Sequence, residues 1–120
     1  AVMLLKSDGT NTSKAITEKG YFTVTSSAIT AFTAVAGDQL LIDTTQTTVT
    51  ITLPAAPAVG DEIVFIDARG TFASNNVTIE RNGKPINSGT NNLALGTNGQ
   101  AITLVFIDST RGWAYKTNTA

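Results

Sequence analysis

The 120-residue sequence contains no cysteine and no histidine. Without thiols there is no disulfide framework and no thiolate metal site, and without imidazole the commonest acid–base group and transition-metal ligand is missing. Most hydrolase and zinc chemistries are excluded on those grounds. Charge is also sparse: 14% of the residues are charged, against roughly 25% in ordinary soluble domains. Eight Lys and Arg against nine Asp and Glu leave a net charge of -1, so neither nucleic acid nor an anionic membrane surface finds an electrostatic footing. No apolar run approaches the roughly 20 residues that span a bilayer. Ala1-Val2-Met3-Leu4-Leu5 is too short for a signal-peptide core and lacks preceding basic residues. The opening Ala1 is what removal of an initiator methionine leaves, and the length fits one compact domain. Together these absences point away from catalysis and toward structure or recognition.

What is abundant is threonine, at 21 of 120 positions. Its branched Cβ favours extended backbone and costs something in a helix, so sheet is the default. In Thr48-Val49-Thr50-Ile51-Thr52-Leu53 the apolar residues share one face and the threonines the other, the period-two signature of a half-buried strand. Ile63-Val64-Phe65-Ile66 and Leu104-Val105-Phe106-Ile107 are apolar on both faces and should be covered on both sides, by other elements or by another chain. Further strands are expected at Val2 to Lys6, Tyr21 to Thr25, Gln39 to Asp43, Val77 to Arg81, Asn92 to Leu95 and Trp113 to Lys116. Ser27 to Val35 reads as a connection. The fold class expected is all-β, an antiparallel β-sandwich or jelly-roll-like barrel with an extended N-terminal arm. Residues 1–20 form the arm, or a first strand plus polar loop, and residues 21–120 a single β-sandwich domain.

Turn chemistry predicts hairpins at Asn82-Gly83 and Asn98-Gly99, because both residue types tolerate positive φ. Asp108 to Gly112 should turn the chain into Trp113-Ala114-Tyr115, and Pro54-Ala55-Ala56-Pro57 forbids continued pairing after Leu53. A faint repeat links residues 50 to 67 with residues 92 to 108, and Gly37 to Asp43 echoes its closing half. Two copies are too few for a solenoid and read as two similar hairpins.

Five acids fall at strand ends: Asp61, Glu62, Asp67, Glu80 and Asp108. Paired carboxylates can hydrolyse glycosides. Arg69, Arg81 and Arg111 follow closely, however, so ion pairs and turn hydrogen bonds account for these acids and no enzyme activity is expected. Asp8 to Ser13 has the oxygen donors of a calcium loop but lacks its terminal Glu, and reads as a polar turn. Metal ligands and cofactors are accordingly none. Trp113 and Tyr115 share one strand face, either as a platform for sugar rings or as a cap on the core. Edge gatekeepers are scarce, with only five lysines and no charge on Thr48 to Leu53, so several edges or faces should be covered by copies of the same chain. The neutral Thr, Ala and Asn surface has little charge to desolvate on contact with another protein.

Four segments in order, "TITLPAAPAVGDEIVFIDARGTF", "NNVTIERNGKPI", "NLALGTNGQAITLVFID" and "GWAYK", resemble a module of bacteriophage virion proteins found in tail fibres and small capsid-surface proteins. The resemblance runs from about residue 47 to 116. It implies an all-β, usually homotrimeric module without enzymatic activity. A tail-fibre module is normally part of a much longer chain, whereas a 120-residue chain with a polar amino-terminal arm is similar to a capsid decoration or cement protein. That placement implies two partners, its own copies and the major capsid protein, and a virion location on the outer capsid surface after assembly in the bacterial host cytoplasm. The rival expectation is a tail-fibre or head-fibre module that binds a receptor or host surface glycan. Its contacts would be Trp113, Tyr115 and the loops at Asn75-Asn76 and Asn91-Asn92.

Overall fold

The computed structural model describes residues 4–6, 14–16 and 20–119. Among the described residues there are eleven strands and no helix. The strands are β1 (Leu4–Lys6), β2 (Lys14–Ile16), β3 (Tyr21–Thr25), β4 (Ala31–Thr33), β5 (Gln39–Asp43), β6 (Val49–Thr52), β7 (Glu62–Asp67), β8 (Val77–Glu80), β9 (Leu93–Leu95), β10 (Ala101–Asp108) and β11 (Gly112–Thr119). Alternation decides the inner faces. Val49, Ile51 and Leu53 are buried while Thr50 and Thr52 are half-buried, as the period-two pattern requires. Ile63 and Phe65 from β7, and Ile102, Leu104 and Phe106 from β10, point into the same core. Each fully buried aliphatic or Phe side chain contributes about 1.5–3 kcal/mol, and this shared core joins the two larger sheets. Phe22 on β3 stacks on Phe32 of β4 at a centroid distance of 5.3 Å, a second link between sheets.

Strands β1 and β2 form a two-stranded antiparallel sheet. The larger sheets are ordered β11-β10-β7-β5-β3 and β4-β6-β8-β9. From β3 to β8 the chain alternates between them, so each strand lies parallel to the one before last: β3 with β5, β5 with β7, β4 with β6 and β6 with β8. In the larger sheets the antiparallel pairs are those made by β9, β10 and β11. The sheets are therefore mixed, a correction to the antiparallel expectation. The β4 strand also corrects the reading of Ser27 to Val35 as a connection. Its three residues pair in parallel with Thr50–Thr52, a non-local partner.

The sequence repeat is a real unit with a different meaning. Val35-Ala36-Gly37-Asp38 and Ala58-Val59-Gly60-Asp61 are the same turn, with glycine φ of 89° and 91°. In each, the aspartate N–H donates to the first carbonyl, at 3.1 and 3.0 Å, and its carboxylate accepts the first N–H, at 2.9 and 2.8 Å. Thr97-Asn98-Gly99-Gln100 repeats the pattern, with Gln100 in place of aspartate and Gly99 at φ 80°. All three have positive φ only at the glycine, the type II arrangement, and all three carry the chain from the four-stranded to the five-stranded sheet. They are corners between sheets, which corrects the hairpin expected at Asn98-Gly99. Asn82 and Gly83 both have positive φ, 52° and 92°, and form a type I′ turn, but β8 meets its antiparallel partner only at Leu93–Leu95, so the hairpin expected at Asn82-Gly83 is also corrected: the turn lies inside the loop of residues 81–92. The Asp108 to Gly112 turn joins β10 to β11 as a hairpin.

Candidate interaction surface

The alternation that buries Ile63 and Phe65 turns Val64 and Ile66 to the other side of the five-stranded sheet. Register places Leu41 opposite Ile66, Val64 opposite Gln39 and Thr103, Ile66 opposite Ala101, and Val105 opposite Ala114. Directly opposed residues have Cβ atoms about 4.5–5.5 Å apart and diagonal ones about 7–8 Å, so Leu41, Ile66 and Ala101 make an apolar row that Val64 and Val105 adjoin on the diagonal, with Gln39, Thr103 and Glu62 between them. Leu41, Val64, Ile66 and Val105 are all only half-buried, and Ile107 beyond them is 41% exposed. The expectation that β7 and β10 are covered on both faces therefore holds within the chain for the inner face alone. At the patch rim Lys116 Nζ lies 3.1 Å from Glu62 Oε2, so the charges there are paired with each other. The outer face of the four-stranded sheet is of another kind: Ala31, Thr33, Thr50, Thr52, Thr78 and Ala94, with Glu80 at one end.

Strand directions divide the loops between two ends of the molecule. At one end, Asp67 Oδ1 accepts the N–H groups of Arg69, Gly70 and Thr71, at 3.2, 2.8 and 3.2 Å. Its Oδ2 accepts Phe72 at 3.2 Å and Gly99 at 2.9 Å. Burial pushes this carboxyl up, but the donated hydrogen bonds from Gly99, Thr71, Phe72 and Arg69 outweigh it, and the group sits below its ordinary value. Asp43, at the end of the adjoining strand, is held low first by the Thr45 hydroxyl and N–H, against burial, with Arg69 at 3.4 Å assisting. Glu80 and Asp108 lie at the opposite end, so the Asp67, Glu80 and Asp108 carboxylates do not share a cleft. The turn hydrogen bonds expected of these acids are present at Asp67 and Asp108 but not, among the described residues, at Glu80, and the ion pairs are different: Arg69 pairs with Asp43, and Arg111 donates through its backbone to Asp108 and through its guanidinium to Asn87. Among the described residues no group of acids is arranged to hold a metal ion, and Asp8 to Ser13 lies outside those residues.

Of the two readings of Trp113 and Tyr115, the sugar platform is not the arrangement found. Trp113 is 0% exposed and meets Phe106 edge to face at 5.5 Å, so it offers no ring face to a ligand, whereas Tyr115 is 37% exposed. The loop of residues 81–92 closes over Trp113: Trp113 N donates to Pro85 O at 2.9 Å and Asn87 N to Trp113 O at 2.6 Å. The four asparagines are divided between the two ends of β8. Asn75 and Asn76 precede it, with Nδ2 atoms donated to Thr44 O at 2.7 Å and Phe72 O at 2.6 Å. Asn92 is at the far end, where its Oδ1 accepts Arg81 N at 3.1 Å, and Asn91 beside it is exposed. Three of the four thus secure loops, and the set makes no single contact surface. The residues that do converge, Leu41, Val64, Ile66 and Val105, look like core in the sequence. Their signal is apolar character on both faces of a strand. The chain matches no protein-family model and no curated protein.

Proposed function

We propose that the chain is a structural subunit of a bacteriophage virion, a homotrimeric capsid decoration or cement protein on the outer head surface. The observation that carries the reading is the half-buried apolar face of Leu41, Val64, Ile66 and Val105 on a chain with very little charge. Such a patch with a paired rim matches the centre of a protein–protein contact. The phage assignment draws on the resemblance of residues 47 to 116. In this reading the two larger sheets are the layers of a β-sandwich and the apolar faces are covered by sister protomers, giving a rigid knob. The neutral Thr-rich face is left for the major capsid protein. Three linked footings then multiply a weak single contact, since each further one binds at a high effective concentration. Assembly takes place in the bacterial host cytoplasm, before release of the particle.

Sedimentation of the isolated protein, followed by binding to purified capsids and to a glycan array, tests this. The expected result is a trimer that binds capsids and retains no glycan, with Ile66→Lys giving a folded monomer. A stable wild-type monomer at micromolar concentration, or specific glycan retention without capsid binding, overturns it.

A further inference from the structure

We infer that Asn82-Gly83 is a self-modification site, at which the chain converts its own asparagine to aspartate and isoaspartate, while the fold protects the second Asn-Gly pair, Asn98-Gly99. The chemistry needs only water. The Gly83 amide nitrogen attacks Cγ of Asn82 and gives up its proton to solvent. The Cγ–Nδ2 bond breaks, ammonia leaves, and a succinimide remains. Water then opens the ring at either carbonyl, so one amide and one water become one carboxylic acid and one ammonia. Glycine in the second position presents no Cβ to the ring-closing geometry, so both pairs share the same intrinsic reactivity.

The folded chain separates them. At Asn98-Gly99 both reacting groups are held: Gly99 N donates to Asp67 Oδ2 at 2.9 Å, and Asn98 Oδ1 accepts Ala73 N at 2.9 Å. The nucleophile is engaged with a carboxylate that four other backbone N–H groups fix in place, so approach to Cγ means dismantling that hub. At Asn82-Gly83 the nucleophile has no acceptor among the described residues, and both residues are exposed. The turn is closed by two long bonds, Lys84 N to Arg81 O at 3.3 Å and Arg81 Nη1 to Lys84 O at 3.4 Å. The side chain is held only through Nδ2, the atom that leaves, which donates to Leu53 O at 3.0 Å. Asn82 occupies the left-handed region at φ 52°, which asparagine tolerates in a type I′ turn. Asn87-Ser88, the other pair at positive φ, resembles the protected case, since Ser88 N donates to Arg111 O at 2.9 Å.

The product changes the molecule locally. A new carboxylate arises near Glu80, Leu53 O loses its donor, and isoaspartate adds a backbone carbon that a type I′ turn does not accommodate. The loop that follows carries Ile86, which bridges to Trp113. As the single tryptophan, Trp113 reports any loosening by its emission.

The folded protein, and a sample unfolded in urea, are incubated at mildly alkaline pH and followed by fragment-ion mass spectrometry. Fragmentation is needed because Pro85 blocks tryptic cleavage after Lys84 and leaves both pairs in one peptide. In urea the two asparagines convert at similar rates. In the folded protein Asn82 converts at least roughly tenfold faster than Asn98, a difference of about 1.4 kcal/mol in barrier. Asn82→Gln and Gly83→Ala each remove the fast conversion and leave the slow one unchanged. Equal or faster conversion at Asn98 in the folded protein overturns the inference, as does conversion of both in urea and of neither when folded.

Discussion

Asp67 and Gly99 are 32 positions apart in the chain and 2.9 Å apart in the fold, Oδ2 to N. That bond ties the end of β7 to the corner from which β10 departs, while the rest of the carboxylate closes the turn from Arg69 to Phe72. Removing the acceptor leaves several N–H groups without a partner at a buried site. Asp67→Ala should therefore cost about 3 kcal/mol, near the upper end for loss of charged hydrogen bonds. Asp108→Ala removes an acceptor from Thr110 and Arg111 in an exposed turn, where water replaces it, and should cost about 0.5–1 kcal/mol. Urea denaturation of the two variants measures the difference. Equal losses would show that Asp67 is not the hub its geometry makes it.

The same hub sets the response to acid. Asp67 and Asp43 both titrate below their ordinary value of 3.8 when folded, so the folded chain binds fewer protons than the unfolded one over that interval. Their contribution to stability is complete above the unfolded value and is lost as pH falls through the folded values. The urea midpoint should stay level from pH 7 to about pH 5 and decline below about pH 4. In Asp67→Asn, which cannot titrate there, the decline should be shallower, and an equally steep decline would remove Asp67 from the account.

Much of this was legible from local pattern. Alternation at Val49, Ile51 and Leu53 gives the strand and its buried face, and the turn chemistry of Asp108 to Gly112 gives the hairpin found, whereas Asn82-Gly83 gives the local turn but not the hairpin. Strand order was not legible, because a parallel pairing such as Leu41 with Ile66 joins segments across an intervening strand in another sheet, and nothing in either segment names its partner. The corner turns mislead for a related reason. Asn98-Gly99 differs from Asn82-Gly83 in the φ of its first residue, and that is set by Asp67 and Ala73, which lie elsewhere in the chain. At the surface, Val64 and Ile66 look like core because a covered strand and a strand awaiting cover have the same sequence. Trp113 and Tyr115 look alike until the loop of residues 81–92 is laid over only the first of them.

Gly112 stands where that loop meets the hairpin. Its φ is 72°, and a Cβ added there would overlap the Pro85 carbonyl, the acceptor of Trp113 N. Gly112→Ala must either move the loop or break that bond, and should cost about 3 kcal/mol or more. Gly70→Ala is the matched control: φ is 70° with nothing within 4 Å of the added carbon, so only the left-handed backbone is penalised, at about 1–2 kcal/mol. Thermal unfolding of both separates overlap from backbone strain. A Gly112→Ala chain no weaker than Gly70→Ala would mean that the loop yields freely.

Trp113 separates packing from recognition. Its ring is fully buried and Nε1 has no hydrogen-bond partner among the described residues, so the side chain acts by volume while its one polar atom is a liability. Trp113→Ala should cost about 3–5 kcal/mol through the cavity it opens, and loss of binding in that variant would report unfolding as readily as a lost contact. Trp113→Phe keeps most of the packing and removes the unpaired N–H, and should stay within about 1.5 kcal/mol of wild type. Because no part of the ring reaches the surface, the Phe variant should form the same oligomer and bind the same partner at unchanged affinity. Oligomer state by sedimentation and capsid binding by pull-down check this. A folded Trp113→Phe protein that loses either property would place the indole at a contact surface, and the loop of residues 81–92 would then have to open for the protein to work.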